Sequence, residues 1–256
     1  GFSSRAIHAG QEPDPTTGAV VPPIHQVSTY KQDGVGGLRG GYEYSRSANP
    51  TRTALEECIA ALEGGERGFA FASGLAGEDT VLRALLAPGD HVVVPSDAYG
   101  GTYRLFDKVA RPWGVEHSIA TVADVESVRA AIRPQTRMVW VETPTNPLLG
   151  IADIEAIAAV AHEAGALLVV DNTTATPLGQ QPLSLGADVV VASATKALSG
   201  HHDVLAGYIA SSHPELMEKV QRDRLLAGPI LGSLEAWLVL RSIGSLGLRF
   251  ERQCQN

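Results

Sequence analysis

Residues 167–196 read LLVVDNTTATPLGQQPLSLGADVVVASATK and contain two short apolar segments, 167–170 and 189–192. Each segment is followed at once by polar residues, Asp171-Asn172-Thr173 after the first and Ser193-Ala194-Thr195-Lys196 after the second. Apolar segments without polar alternation are typical of strands buried on both faces of a parallel sheet. The segment therefore predicts two strands whose polar ends lie at one edge of a sheet.

The same pattern recurs on both sides of this segment. Residues 69–72, 91–94 and 138–141 predict further buried strands, and residues 204–210 predict one more. Helical periodicity fills the gaps, as where apolar residues recur at 154, 157, 158 and 161, and two later helices are predicted at 213–226 and 233–246. This alternation predicts an α/β fold with a mostly parallel sheet between helices.

The first 48 residues differ from the rest in being rich in Gly and Pro and poor in periodic apolar positions, which predicts an extended arm. A helix is predicted after it, with Asn49 as cap, Pro50 in the first turn and Gly64-Gly65 as the stop. We expect three parts: an extended arm at 1–48, an α/β domain at 49–230, and a linker helix at 231–256.

Composition excludes several functional classes. Of the 256 residues 44% are hydrophobic and 19% charged, which is typical of a folded globular chain. The net charge of −8 and the lack of basic clusters argue against a nucleic-acid partner. Cys58 and Cys254 have no metal-ligand or disulfide-framework spacing, and no apolar run reaches the roughly 18 residues of a membrane span. We expect a cytoplasmic protein without a membrane partner.

Polar residues follow four of the predicted strands. They are Ser73-Gly74-Leu75, Glu142-Thr143-Pro144-Thr145-Asn146-Pro147, Asp171-Asn172-Thr173 and Ser193-Ala194-Thr195-Lys196. Ligands of open α/β sheets bind at the carboxyl ends of the strands. A lysine that can form a Schiff base, hydroxyls and a Gly-containing helix start for a phosphate, and an aspartate for a pyridine nitrogen are the groups that pyridoxal phosphate requires.

Five motifs occur together in order along the chain. They are Tyr44-Ser45-Arg46 with Asn49-Pro50-Thr51-Arg52, Asp97-Ala98-Tyr99-Gly100-Gly101, and the groups that begin at Glu142, Asp171 and Ser193. Together they resemble the pyridoxal-phosphate enzymes of cysteine and methionine metabolism, the family of cystathionine γ-synthase, cystathionine γ- and β-lyases and methionine γ-lyase. The resemblance implies the large domain of a fold type I, aspartate-aminotransferase-like PLP transferase and the cofactor pyridoxal 5′-phosphate.

The resemblance also implies a role for each residue that matches a motif. Lys196 would be the Schiff-base lysine and proton shuttle, Asp171 would pair with the pyridine nitrogen, and Tyr99 would stack on the ring. The implied phosphate and ring contacts are the amides of Gly74 and Leu75, the hydroxyls of Ser193 and Thr195, and Asn146 near the 3-hydroxyl. Tyr44 and Arg46 would reach the phosphate in a neighbouring subunit, which implies at least a dimer and, by the family pattern, a homotetramer.

Several alternatives stay open. The implied activity is γ-replacement or γ-elimination, as in cystathionine γ-synthase or cystathionine γ-lyase, with methionine γ-lyase and β-lyase as alternatives. A non-catalytic, truncated cofactor-binding protein and a Schiff-base enzyme without pyridoxal are hypotheses of other classes. His201-His202-Asp203 predicts a loop and no metal site, because no third ligand is suitably spaced. The pattern Ser193-x-x-Lys196 lacks the S-D-N and K-T-G companions of penicillin-recognising enzymes.

Two departures from the family pattern concern the cofactor pocket and the length. Thr174 stands where the family usually has an aromatic residue, and residues 197–203 (ALSGHHD) stand where an aromatic, Asn and Ser are more usual. Family members continue into a smaller C-terminal domain that supplies an arginine for the substrate's α-carboxylate. This domain is largely absent here, so we expect the 256 residues to be a fragment.

Overall fold

A seven-stranded sheet forms the centre of the computed structural model, which describes residues 1–256. The strands are β1 (Arg67–Phe71), β2 (His91–Pro95), β3 (Glu116–Ala120), β4 (Thr136–Glu142), β5 (Leu167–Asp171), β6 (Val189–Ala192) and β7 (Gly207–Ser211). Their order is β1-β7-β6-β5-β4-β2-β3. Strands β2 to β6 pair in parallel, and β7 runs antiparallel to both β6 and β1. The predicted α/β fold with a mostly parallel sheet is confirmed.

Helices cover both faces of this sheet. They are α1 (Phe2–His8), α2 (Pro50–Glu63), α3 (Gly74–Leu85), α4 (Gly100–Leu105), α5 (Arg111–Trp113), α6 (Val125–Ala131), α7 (Ile154–Glu163), α8 (Thr176–Gly179), α9 (Pro214–Ala227), α10 (Ser233–Ile243) and α11 (Leu246–Gln255). A π-helical segment, Phe106–Ala110, joins α4 to α5, and a 3-10 turn spans Pro182–Leu185. No helix combines the length and the apolar character needed to cross a bilayer.

The apolar strands are buried because successive side chains serve opposite layers. In β6, Val189 and Val191 pack into the layer of α3 and α9, whereas Val190 and Ala192 pack into the layer of α2 and α10. In β5, Leu168 and Val170 face α7. A strand with helices on both sides needs no polar alternation, which explains the uninterrupted apolar segments of the sequence.

Helix α2 begins and ends as its sequence predicts. The Asn49 side chain accepts hydrogen bonds from the amides of Thr51 and Arg52, Pro50 occupies the first turn, and Gly64 ends the helix with φ of 74°. Only a residue that tolerates the left-handed region fits this last position without strain. The apolar face of α2 packs on α10 and on the sheet, so helices from distant parts of the chain share one core.

Three features differ from the sequence-based expectations. Strand β3 was not predicted, because Glu116–Ala120 lies at the sheet edge, is largely solvent-accessible and shows little apolar character. The predicted extended arm begins with a helix, Phe2–His8, whose Ala6 is buried in the core with α2. The predicted single linker helix is two helices, α10 and α11, with a break at Gly244 and Ser245.

Candidate active site

A cavity of about 250 Å³ lies at the edge of the sheet where β1, β4, β5 and β6 all end. Eight of the ten predicted site residues line it: Gly74, Leu75, Tyr99, Asn146, Asp171, Ser193, Thr195 and Lys196. Glu78, Glu142, Ser73, Thr173, Thr174 and Leu205 complete the wall. The structure thus brings four separated polar segments together at the predicted edge of the sheet.

The first turn of α3 forms one wall of the cavity. Ser73 caps this twelve-residue helix, and its hydroxyl accepts a hydrogen bond from the amide of Ala76 at 3.1 Å. A Cβ atom at Gly74 would lie 3.0 Å from Ser193 Cβ, so glycine permits the close approach of the two segments. The first-turn amides of a helix lack partners within it and carry partial positive charge, which suits a phosphate.

The segment that carries Lys196 is held from both sides. The Thr195 hydroxyl donates to the carbonyl of Ala206 at 3.1 Å and accepts from the amide of Ala206 at 3.0 Å. On the other side, Arg249 of α11 donates to the carbonyls of Ala197 at 2.6 Å and Leu198 at 2.9 Å. Lys196 itself is exposed at the cavity. Its backbone is therefore fixed while its amine is free to reach a ligand.

Asp171, the last residue of β5, presents one carboxylate oxygen to the cavity. Its Oδ1 accepts hydrogen bonds from the amide of Thr173 at 2.9 Å and from the Thr173 hydroxyl at 2.6 Å. No protein group donates to Oδ2. Burial raises the pKa of Asp171, and the hydrogen bonds from Thr173 oppose this effect. The free Oδ2 of this carboxylate is suited to accept a hydrogen bond from a cationic N–H group of a ligand.

Tyr99 and Glu142 form the opposite wall. The amide of Tyr99 donates to Glu142 Oε2 at 2.7 Å, while the Tyr99 side chain remains 41% exposed at the rim. A Cβ atom at Gly101 would lie 2.3 Å from Tyr99 Cε1, so this glycine makes room for the ring. Burial raises the pKa of Glu142 to about 7, because its charged form loses hydration.

Sequence reasoning did not select five polar residues of the cavity: Ser73, Thr174, Glu142, Thr173 and Glu78. Glu142 and Thr173 belong to the motifs that follow β4 and β5, so their position after a strand was a usable signal. Glu78 lies one turn into α3, four residues after Gly74, where an acid in a helix normally indicates solvent exposure. It is instead buried, at 5% exposure, and burial together with the charge of Asp171 raises its pKa to about 8.

Tyr44 and Arg46 are the two predicted site residues that the structure places elsewhere. They line a separate surface cavity beside Leu225 and Leu226 of α9. The Arg46 guanidinium lies over the Tyr44 ring, with 5.5 Å between its carbon and the ring centroid. Within one chain these two side chains do not join the cavity of Lys196.

The groups of the cavity fit a phosphorylated pyridine. Asp171 Oδ2 is free for a ring nitrogen, the first turn of α3 offers unpaired amides for a phosphate, and Lys196 offers an amine for a carbonyl carbon. Gly74 permits the close approach of the Ser193 segment, which brings the Ser193 hydroxyl beside this helix start. The fold and the cavity together define an α/β protein of the class that binds such a cofactor at a strand-end lysine.

Comparisons with known proteins identify the family. A model of the family "Cys/Met metabolism PLP-dependent enzyme" matches residues 3–256, so the chain belongs to this family. A cystathionine gamma-synthase of Mycobacterium tuberculosis is 54% identical over 256 residues, which are 100% of this chain and 66% of that protein. A cystathionine beta-lyase of Lactococcus lactis is 49% identical over 255 residues, 100% of this chain and 67% of that protein.

A solved structure supports the same assignment. The structure of metB from Corynebacterium glutamicum superposes with a TM-score of 0.96 at 48% identity, covering 97% of this chain and 64% of that one. The resemblance seen in the five motifs is therefore confirmed, and pyridoxal phosphate is the expected cofactor. The chain spans about two thirds of the length of the curated relatives that it matches.

Proposed function

We propose that this chain is part of a pyridoxal-phosphate enzyme that acts on sulfur-containing amino acids or O-acylhomoserine, of the cystathionine γ-synthase or γ-lyase type. The observation that carries the proposal is one cavity that contains Lys196, the free oxygen of Asp171 and the first turn of α3. Bound pyridoxal phosphate would supply an electron sink for a carbanion next to the amino group.

The chain's own residues would bind and orient the cofactor. The amides of Gly74 and Leu75 and the Ser193 hydroxyl would hold the phosphate at the helix start. The carboxylate of Asp171 would hold a proton on the ring nitrogen, since an ionised acid beside that atom favours the charged ring. Asn146, at the rim, would contact the 3-hydroxyl.

Lys196 would carry the proton transfers, and Tyr99 would cover the cofactor. Lys196 would hold the cofactor through its amine, and the same amine, when free and neutral, would accept the α-proton of the amino-acid substrate. The ring of Tyr99 at the cavity rim would cover one face of the cofactor and exclude water. A second proton loss, at the β-carbon, distinguishes γ-chemistry from the β-elimination of a β-lyase.

The distribution of relatives supports γ-replacement. The relative called cystathionine gamma-synthase shares 54% identity, and the one called cystathionine beta-lyase shares 49%. The β-lyase reaction is the second candidate, because its relative is nearly as similar. An assay with O-acylhomoserine and cysteine, against one with cystathionine alone, separates synthesis from cleavage.

The test is the absorbance spectrum of the protein with pyridoxal 5′-phosphate, before and after borohydride. We expect a visible band that borohydride bleaches, with the reduced cofactor on the peptide that contains Lys196. Lys196→Ala should lose the band, whereas Lys219→Ala, an exposed lysine of α9, should keep it. A band that survives in Lys196→Ala would refute the assignment, and a protein that takes up no cofactor would favour the non-catalytic alternative.

A further inference from the structure

Glu78 is a buried acid of the cavity wall for which neither the motifs nor the proposed reaction provide a role. It lies on α3, one turn after Gly74, and its side chain lines the same cavity as Asp171 and Lys196. It is 5% exposed, and its Oε2 has no hydrogen-bond partner. An unpaired buried carboxylate is costly, so its protonation state requires an explanation.

The hydrogen-bond donors of the cavity are distributed unequally among its three acids. Asp171 receives two hydrogen bonds from Thr173, and Glu142 receives one from the amide of Tyr99. Glu78 Oε2 receives none, and the Thr102 hydroxyl is the one side-chain donor near this carboxyl group. Donors stabilise the ionised form of a carboxyl group, so Asp171 and Glu142 are better suited than Glu78 to carry a negative charge.

The charges around Glu78 also disfavour its ionised form. Asp171 from β5 and Glu142 from β4 face the cavity, and Lys196 is the only cation that lines it. On the other side of α3, the buried cation of α9 is Arg224, which is bound to Glu56 and to the carbonyl of Ala70. Apart from Lys196 across the cavity, no positive group is placed to compensate a charge on Glu78.

We propose that Glu78 is a protonated carboxylic acid that keeps Asp171 as the ionised partner of the pyridine nitrogen. Two neighbouring buried carboxyls do not both ionise, and the one with the weaker set of donors, here Glu78, retains the proton. Glu78 is thus a positioning residue that acts through Asp171. Its role toward the cofactor rests on the proposed function, but its protonation does not. The pKa of Glu78, raised to about 8, agrees with the assignment.

The direct test is difference infrared spectroscopy of the protein without cofactor. At pH 6.5 the wild type minus Glu78→Gln spectrum should show the C=O band of a protonated carboxyl group, and the band should disappear as the pH rises through about 8. The Glu78→Asp minus Glu78→Gln spectrum should show such a band again. Asp79→Asn, at a surface position of the same helix, should show none. The proposal would be overturned by a difference spectrum without the band at pH 6.5, or by a band that is already lost when the pH has risen to 5.

A second measurement uses pyridoxal 5′-phosphate. The affinity of the wild type should fall between pH 7 and 9, because ionised Glu78 lies one turn from the amides that would hold the phosphate dianion. In Glu78→Gln this fall should be smaller by about threefold or more. Equal pH profiles would contradict the role toward the cofactor. A wild type that binds no cofactor would contradict the proposed function, and the infrared result would still decide the protonation of Glu78.

Discussion

Glu63 is a buried side chain that contacts the residue next to Asp171, on the side away from the cavity. It lies in α2, accepts a hydrogen bond from the Tyr208 hydroxyl, and accepts others from Asn172 Nδ2 at 3.1 and 3.2 Å. Asn172 directly follows Asp171, so this contact fixes the backbone beside the carboxylate that we propose as partner of the ring nitrogen. Burial raises the pKa of Glu63 to about 7, although the hydrogen bonds from Tyr208 and from Asn172 lower it.

Glu63→Gln should change the pH dependence of stability. A carboxyl pKa near 7 in the folded state, above the ordinary value of 4.5, makes the folded protein lose stability as pH rises from 4.5 through 7. The variant should lack this loss, which amounts to at most about 3 kcal/mol. Urea unfolding from pH 4.5 to 8 measures it. Glu57→Gln, exposed on the same helix, should follow the wild type, and identical profiles for all three would contradict the assignment.

Predictability differed between residues according to where they lie. Asp171, Ser193 and Lys196 were predicted because they follow apolar strands, and chain order places such residues at one edge of the sheet. Glu63 and Glu78 were not, because a glutamate within a helix normally faces solvent and only tertiary packing buries it. The five motifs could be matched to a family, but residues outside them required the structure.

Helix α3 joins the cavity to the core through two glycines with different surroundings. A Cβ atom at Gly74 would meet Ser193 Cβ at 3.0 Å and Cα at 3.2 Å. At Gly77 it would lie 3.6 Å from Phe71 and 3.7 Å from Ile209, which is ordinary van der Waals contact. One glycine maintains the approach of two segments, whereas the other leaves room for a methyl group.

Alanine substitutions at these glycines should therefore have opposite effects. Gly77→Ala should raise the free energy of unfolding by about 0.5–1 kcal/mol, because alanine lowers the entropy cost of the helix. Gly74→Ala should lower it by about 1–2 kcal/mol and weaken binding of pyridoxal 5′-phosphate. Urea unfolding and a cofactor titration measure both effects. Equal stability changes for the two variants would show that the approach to Ser193 does not constrain position 74.

Elements were predictable where their burial matches a simple pattern. The apolar strands β4, β5 and β6 and the amphipathic α7 were found within a few residues. The edge strand β3 was missed since half-exposed polar residues carry no such pattern, and the antiparallel direction of β7 depends on the path of the chain after Lys196. Neither depends on local sequence alone.

The arm gives the whole molecule a surface that one chain leaves uncovered. Val20, Val35 and Leu38 are exposed there, and Leu226 is 75% exposed beside Tyr44 and Arg46. Apolar exposure of this kind is typical of surfaces that contact another chain. It supports the proposal that Tyr44 and Arg46 reach the cavity of a second copy.

Mixed assemblies test whether the site is shared. Arg46→Ala and Lys196→Ala should each impair cofactor binding at limiting pyridoxal 5′-phosphate, but a refolded equal mixture should recover about a quarter of the borohydride-sensitive band. Half of the dimers would be mixed, and each of these would have one intact site. Arg39→Ala, an arm cation paired with Asp33, serves as control and should bind fully. No recovery in the mixture would contradict a shared site.

The packing of α2 on α10 has a consequence for synthesis of the chain. Arg52 of α2 donates to the carbonyl of Leu231, 179 residues later, just before α10 begins. At about 5–20 residues per second, a ribosome needs roughly 10–40 s to make the intervening chain. During that time Leu55, Ile59 and the rest of the apolar face of α2 lack their cover, so a nascent chain stalled before α10 would be a target for chaperones and proteases.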